Sequence, residues 1–290
     1  MVKKVSSINL VSSLKEGDNP KSRWFTFNMT VAWFLRKAFE KKGVQCNFVN
    51  DRTLLLEEEA DHTIVTSGMA MKFAREMPHY LKVLRKTTNG KLTVYLDADY
   101  KEWEKYFDII FTVVELLPIT SRTYYRYVGW GADPKYCYPD QDERAVFLDS
   151  LMHGYYDNKF NKIYDIYKKT LSALDLKVYN PWPRYHGSVR LLWYQVQELL
   201  RKSHYYCCTQ LGESGLTRIE AATCGALLVV PRPLYRPRTM ASLEHRIWDT
   251  EDDLIKILKT KTDPQAIRKK ALAHSWDKVA SRILKTLYEE

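Results

Sequence analysis

The residues best suited to chemistry lie between His204 and Pro231. In this segment a short apolar run, a glycine-containing loop, a short amphipathic stretch and a second apolar run follow one another. This order predicts a strand, a loop, a short helix and a strand. Ligands of open parallel sheets bind at the carboxyl ends of the strands, so the loop over 210–216 is the predicted ligand-binding segment. Gly212 and Gly215 permit a ligand to approach the backbone closely.

Glu220 is expected one turn inside the helix that follows this loop. The free amides at the start of a helix favour a diphosphate. A carboxylate one turn further along can accept two hydroxyl hydrogen bonds, as a ribose diol offers. The same residues also fit an ordinary βαβ unit with glycine turns and a solvated glutamate, so on their own they leave both interpretations open.

The elements that must position these residues form two consecutive series of short apolar runs that alternate with amphipathic stretches. Such a βα rhythm predicts parallel sheets covered by helices on both faces. The fold class is therefore α/β, with two Rossmann-like domains. A stretch rich in Gly, Pro and Asp near residue 130 predicts the boundary, with domains over 1–130 and 131–275.

Four segments in sequence order resemble the glycogen-synthase-like and spore-maturation-type GT-B glycosyltransferases. Residues 218–230, RIEAATCGALLVV, are similar to the E-A-x-A-C-G-x-P-V-V segment of that family. Residues 123–139 resemble the turn that opens its second domain, and residues 184–209 resemble its nucleobase-contacting segment. Residues 273–288 resemble the C-terminal helix, which implies that 276–290 crosses back to the first domain.

The resemblance implies that the two domains face each other across a cleft, with a donor site in the second domain and an acceptor site in the first. It implies that Glu220 binds the donor ribose and that the preceding loop lies against the diphosphate and sugar. The donor-binding residues carried over are Gly212, Gly215, Leu216, Thr217, Arg218, Glu220, His186, Gly187 and Val189. His186 could equally be a packed structural histidine.

The sequence departs from the family pattern at two places. The family has a Glu-x7-Glu pair, and here Gly212 occupies the position of the first glutamate while Glu213 is displaced by one. The basic pair that holds the diphosphate is also missing, and Lys159 or Arg218 is expected to replace it. We name Glu213 as a catalytic candidate that could still reach the donor sugar.

Two further groups of carboxylates end apolar runs in the first domain. Asp97 and Asp99 follow a predicted strand in a D-x-D pattern, and Glu16 and Asp18 lie in the first βα loop. Asp18 and Asp99 are the catalytic candidates, since an aspartate there could act as a general base in an inverting enzyme. A strand-terminating turn with solvated carboxylates explains Asp97 and Asp99 equally well. We expect no metal site, because GT-B enzymes seldom require a bound ion.

The net charge of +10 would help to attract a polyanion such as DNA. Basic residues of the first domain could line a nucleic-acid groove, although a solvated helix face is the default explanation: Lys21, Arg23, Arg36, Lys37, Lys41 and Lys42. The five cysteines form no C-x-x-C pair, which fits a cytoplasmic location. No apolar run reaches the roughly 18 residues of a membrane span.

The sequence therefore predicts a hexosyltransferase that uses a nucleoside diphosphate sugar, most simply a UDP-sugar, as co-substrate and needs no cofactor. The resemblance implies a retaining mechanism. The acceptor could be a glycan, lipid or small molecule, or a hydroxymethylated DNA base, as in phage enzymes. Two alternatives stay open: a non-catalytic nucleic-acid-binding protein with a degenerate glycosyltransferase fold, and a sugar-nucleotide epimerase. The sequence does not indicate the oligomeric state.

Overall fold

The computed structural model describes residues 5–21, 27–50, 59–96, 105–113, 125–141, 144–149, 158–180, 191–209, 215–235 and 240–289. The chain divides into two compact units. Unit 1 comprises Met1–Gly129 together with Trp276–Glu290, and unit 2 comprises Trp130–Ser275. Each unit contains one parallel sheet with helices around it, so the α/β class with two Rossmann-like units is confirmed.

Unit 1 contains a six-stranded sheet in the order β2-β1-β3-β4-β5-β6, and every described strand pair in it is parallel. Its elements are β1 (Ser7–Val11), α1 (Phe27–Glu40), β2 (Gln45–Val49), β3 (His62–Thr66), α2 (Ser67–Glu76), α3 (Pro78–Thr87), β4 (Leu92–Leu96), β5 (Ile109–Thr112), β6 (Tyr125–Tyr127) and α9 (Trp276–Glu289).

The central strands of unit 1 are apolar throughout because both faces of the sheet are covered. All five residues of β4 and all four of β5 are buried. Helix α1 ends at Glu40, and Gly43 then takes a φ of +75° that reverses the chain into β2. A glycine suits that left-handed position because it carries no β-carbon.

The C-terminal helix α9 packs against α1 within unit 1. The rings of Phe34 and Trp276 are stacked with centroids 5.8 Å apart. The inward face of α9 is apolar and includes Ile283 and Leu287, both buried. Lys41 on the turn after α1 pairs with Asp277 at 3.2 Å. The last helix therefore belongs to the same compact unit as the N-terminal sheet.

Unit 2 contains a five-stranded parallel sheet in the order β11-β10-β9-β7-β8. Its elements are β7 (Ala145–Leu148), α4 (Asn158–Ala173), β8 (Lys177–Tyr179), α5 (Trp193–Lys202), β9 (Tyr205–Cys207), α6 (Leu216–Thr223), β10 (Leu227–Pro231), β11 (His245–Trp248), α7 (Glu251–Lys259) and α8 (Pro264–Ala271). A short 3₁₀ turn, Arg232–Leu234, follows β10.

Three elements were not expected from the sequence. The first is β6, Tyr125–Tyr127, which is an edge strand of its sheet and in which Tyr127 is 41% exposed. Strand β11 and helix α7 were also missed. Within the described residues, no helix is both long enough and apolar enough to cross a membrane.

Candidate functional site

The strand order of unit 2 places a topological switch point between β7 and β9. Strand β8 lies on one side of β7, and the chain then crosses back so that β9 lies on the other side. In an open parallel sheet the crevice for a ligand forms outside the carboxyl ends of the strands that flank this point. The residues that follow β7 and β9 are therefore the first candidates for a site.

Asp149 follows β7 directly at this switch point and is 1% exposed. Its Oδ2 accepts a hydrogen bond from the hydroxyl of Tyr206 on β9, and its main-chain oxygen accepts one from Thr209 Oγ1. Burial and the neighbouring Asp149 raise the pKa of Tyr206 well above its ordinary value. Sequence reasoning missed Asp149, although an aspartate after an apolar run was the signal that had singled out Asp97 and Asp99.

Helix α6 starts beside this switch point, as the sequence predicted. Its N-cap is Gly215, which offers no side-chain hydrogen bond, and no acidic residue lies in the first turn. The amide of Arg218 donates to the carbonyl of Gly215 at 3.1 Å. The amides of Leu216 and Thr217 precede it in the first turn, where main-chain donors have no intrahelical acceptor.

Arg218, one of the two residues expected to replace the missing basic pair, is 3% exposed. Its side chain lies against the α-carbon of Gly215 and beside Cys208. Burial raises the pKa of the Cys208 thiol to about 12, and the Arg218 charge opposes that rise. The guanidinium is thus inside unit 2, beneath the start of α6, rather than on its surface.

Glu220 lies one turn into α6, and the interpretation of it as a solvated glutamate is wrong. The residue is 3% exposed, and its Oε1 accepts a hydrogen bond of 3.0 Å from Trp193 Nε1 on α5. Burial raises the pKa of Glu220 from 4.5 to about 7, against the effects of Trp193 and Gln197. A buried carboxyl group that titrates near neutrality is typical of functional sites.

Three residues around Glu220 were not singled out by the sequence. Trp193 and Gln197 on α5 are both buried, and the Gln197 Oε1 accepts from the Cys137 thiol at 3.2 Å. The Tyr136 ring meets the Trp193 ring edge to face, with centroids 5.4 Å apart. The spacing of apolar residues in α5 predicts a core helix. It does not indicate that the side chains of Trp193 and Gln197 lie beside a carboxylate.

Helix α6 is held at its other end by Arg268 of α8. The Arg268 guanidinium donates to the carbonyl of Thr223 at 2.8 Å, and also to the carbonyls of Cys137 and Pro134. A cation suits this position because the carboxyl end of a helix carries partial negative charge. The same side chain thereby ties the 133–137 turn to α6.

The two carboxylates in the first βα loop of unit 1 contact residues of the same unit. Asp18 Oδ2 accepts from the Lys15 amide at 2.8 Å and closes a tight turn. Glu16 forms an ion pair with Arg36 at 2.7 Å. These contacts give both carboxylates structural partners, while a catalytic role for Asp18 stays a hypothesis.

The basic residues of α1 also have local partners. Arg36 pairs with Glu40 as well as with Glu16, at 2.7 Å in each case. The Lys37 ammonium lies 3.6 Å from the centroid of the Trp33 ring, a cation–π contact. With Lys41 bound to Asp277, this face of unit 1 offers less unpaired charge than the sequence suggested.

Several candidates lie outside the described residues. These are Asp97, Asp99, Gly212, Glu213, His186, Gly187, Val189 and Arg23. The backbone of Lys159 lies in the first turn of α4, and its side chain is outside the described part of the chain. The described residues contain no group of three or more His, Cys, Asp or Glu side chains arranged to hold a metal ion.

Comparisons with known proteins fit this architecture. No family model matches the sequence, and no curated protein matches it. Among solved structures, a variant of the Thermobaculum terrenum O-GlcNAc transferase superposes with a TM-score of 0.56 at 13% identity, over 99% of this chain and 67% of that one. The UDP-GlcNAc 2-epimerase of Methanocaldococcus jannaschii superposes with a TM-score of 0.54 at 12% identity, over 98% and 99%.

A second structure of the same epimerase, in complex with UDP-GlcNAc and UDP, superposes with a TM-score of 0.52 at 12% identity, over 97% of this chain and 99% of that one. At this level of identity the likeness concerns the fold. Together with the two parallel sheets, it shows that the chain has the two-Rossmann-like-domain architecture known as GT-B.

Proposed function

We propose that the protein is a glycosyltransferase that moves a hexose from a nucleoside diphosphate sugar to a hydroxyl group, with the nucleotide bound by unit 2. The observation that carries this proposal is the buried Glu220 carboxylate, which lies on the helix that follows the carboxyl end of β9. The resemblance in sequence and the likeness in fold to proteins that use sugar nucleotides support the same conclusion.

The Glu220 carboxylate would bind the ribose of the nucleotide. Its Oε1 is already oriented by the 3.0 Å hydrogen bond from Trp193, and a carboxylate has further acceptor sites for the two hydroxyls of a ribose. Burying a carboxyl group with few donors is unfavourable. A ligand that supplies two hydroxyl donors would offset that cost, which gives the fold a reason to keep the group there.

The diphosphate would lie at the start of α6. The Leu216 and Thr217 amides and the partial positive charge of the helix favour an anion there, and Gly215 supplies no side chain to cap them. Lys159 and the buried Arg218 are the cations proposed to add charge. UDP is the first nucleotide to test, since one of the similar structures contains UDP-GlcNAc and UDP.

The reaction exchanges one bond at the anomeric carbon. The acceptor oxygen bonds to that carbon as the bond to the β-phosphate oxygen breaks, the nucleoside diphosphate leaves, and the hydroxyl proton passes to a base. Amides at the α6 start would stabilise the charge that develops on the leaving diphosphate. Asp18, Asp99 and Glu213 are the candidates for the groups near the sugar and acceptor, and the resemblance favours retention of configuration.

Calorimetric titration with UDP and with UDP-glucose, UDP-GlcNAc and GDP-sugars tests the donor site. We expect micromolar binding of one nucleotide and a loss of at least about tenfold in Glu220→Gln, because the substitution removes the negative charge and replaces one of the two acceptor oxygens by an N–H donor. The matched control is Glu198→Gln, which alters an exposed carboxylate on α5 and should bind normally. Equal affinity in Glu220→Gln and the wild type would remove the basis of this proposal.

An assay for released nucleoside diphosphate then identifies the acceptor class. The donor is incubated alone, with glycan and lipid acceptors, and with hydroxymethylated DNA. Release that depends on DNA assigns the base as acceptor, and release that depends on a glycan or lipid assigns that class. DNA binding with a steep salt dependence and no sugar-nucleotide binding would instead support the non-catalytic alternative.

A second candidate is a sugar-nucleotide epimerase. This chain superposes on 99% of the length of the M. jannaschii epimerase, compared with 67% of the transferase. An epimerase would convert the donor into an isomer in the absence of any acceptor. Proton NMR of the donor after incubation with the protein alone separates this activity from transfer.

A further inference from the structure

Helix α5 presents two polar side chains to Glu220. Trp193 and Gln197 are four residues apart and therefore lie on the same face of the helix. Both are largely buried, with exposures of 8% and 2%. The indole Nε1 of Trp193 donates to Glu220 Oε1 at 3.0 Å.

Each of these side chains is fixed by a third residue. The Trp193 ring packs edge to face against Tyr136. The Oε1 of Gln197 accepts a hydrogen bond from the Cys137 thiol at 3.2 Å. The amide nitrogen of Gln197 has no hydrogen-bond partner within the described residues, and Gln197 lowers the pKa of Glu220.

Two opposing effects set the pKa of Glu220. Burial raises it, while Trp193 and Gln197 lower it. The Cys137 thiol faces it from the 130–141 segment, and its own pKa is raised by burial, by Cys224 and by Glu220. Arg268 of α8 reaches the far end of α6 at the Thr223 carbonyl, and β10 contributes buried apolar residues.

Only one of the two carboxylate oxygens is engaged in this way. Within the described residues, Trp193 donates to Oε1 and no hydrogen bond to Oε2 is found. Because the indole ring is itself packed in place, the direction of its N–H fixes the plane of the carboxylate. A fixed plane determines where Oε2 can accept a hydroxyl.

We propose that Trp193, through its hydrogen bond to Oε1, and Gln197, on the same face of α5, are positioning residues that orient the Oε2 of Glu220 towards the hydroxyls of a nucleotide ribose. This inference rests on the proposed nucleotide site of unit 2. Trp193 and Gln197 act through Glu220 and need not touch the ligand. Their effect should therefore depend on pH in the range where Glu220 loses its proton.

The test compares the wild type with Trp193→Phe, Gln197→Met and Tyr194→Phe. Trp193→Phe removes the indole N–H together with part of the ring volume, and Gln197→Met removes the amide donor with little change in volume. Tyr194→Phe is a matched aromatic control on the same helix. UDP affinity is measured by calorimetry from pH 6 to 9. In parallel, the carboxyl carbon of Glu220 is titrated by ¹³C NMR without nucleotide, which reports its ionisation independently of binding.

We expect wild-type affinity to rise with pH around a midpoint near 7, the pKa of Glu220. In Trp193→Phe the midpoint should move upwards by about one pH unit, because the ionised form loses a hydrogen bond. Affinity should fall about fivefold at pH 7, because the ionised fraction of Glu220 falls from about one half to about one tenth, and should recover at pH 9. Gln197→Met should shift the midpoint in the same direction by less, and Tyr194→Phe should match the wild type.

The two proposals fail in different ways. A wild type that binds no nucleotide at any pH overturns the proposed function. An unchanged Glu220 midpoint in both Trp193→Phe and Gln197→Met overturns the positioning role, whether or not nucleotide binds. An affinity that falls equally at every pH also overturns it, since that pattern indicates general loss of structure. If Trp193→Phe does not fold, Gln197→Met decides the question.

Discussion

The side chain of Arg218 lies so close to Gly215 that a β-carbon added to Gly215 would be 2.9 Å from Cδ of Arg218. The two residues are the N-cap of α6 and the third residue of the same helix. Arg218 is 3% exposed, so its side chain has little room to move away. The glycine at the start of α6 is therefore required by a neighbouring side chain.

Gly215→Ala should destabilise unit 2 by about 1 to 3 kcal/mol, the usual cost of overpacking a closely packed site. Urea unfolding followed by tryptophan fluorescence measures the change. In a double-mutant cycle with Arg218→Ala, most of this cost should disappear, because the clashing atoms are removed. An unchanged cost in the Arg218→Ala background would show that the glycine is needed for another reason.

Glu220→Gln should change the pH dependence of stability in a defined direction. Because the pKa of Glu220 is about 7 in the folded protein and its ordinary value is 4.5, the folded state holds a proton that the unfolded chain has lost. Stability therefore falls as pH rises through this window, by about 3 kcal/mol in total. Urea unfolding should show Glu220→Gln close to wild type at pH 5 and more stable at pH 8.

The control for this prediction is Glu198→Gln, whose carboxylate is half exposed and should give a pH-independent difference. A constant difference between Glu220→Gln and the wild type from pH 5 to 8 would contradict the burial of an ionisable group. A variant that gains stability and loses nucleotide affinity would place Glu220 among residues kept for binding at a cost to folding.

Arg268→Met should destabilise unit 2 by about 2 to 3 kcal/mol. The substitution removes a charged donor from the carbonyls of Thr223, Cys137 and Pro134, and hydrogen bonds to charged groups contribute about 1.5 to 3 kcal/mol. Thermal unfolding at fixed pH measures the loss. Lys269→Met, at the exposed neighbouring position, should be nearly neutral, and similar losses in both variants would contradict the assigned contacts.

The five cysteines should resist thiol reagents in the native protein. All are free and buried, and burial raises the pKa of Cys46 and of Cys208 to about 12. The thiolate is the reactive form, so labelling with a disulfide reagent at pH 7.5 should be slow until guanidinium is added. Rapid native labelling, located by mass spectrometry, would show that one of these thiols is accessible.

The alternation of apolar runs with amphipathic stretches was enough to predict two parallel α/β units. Period-2 and period-3.6 patterns are local properties of the chain, and most strands of both sheets follow them. Strand β11, HRIW, was not predicted, because a half-exposed edge strand lacks a continuous apolar run. Helix α7 did carry a local signal, the capping box formed by Thr250 and Asp253.

The sequence by itself determined the short helix α6 and the position of Glu220 one turn inside it, because both depend on residues close together in the chain. Only the tertiary structure decided that Glu220 is buried and held by Trp193, which is 27 residues away. It also decided that Asp149 meets Tyr206, 57 residues away. Such contacts depend on how the helices pack on the sheet. The local pattern of a single sequence does not indicate which distant side chains this packing brings together.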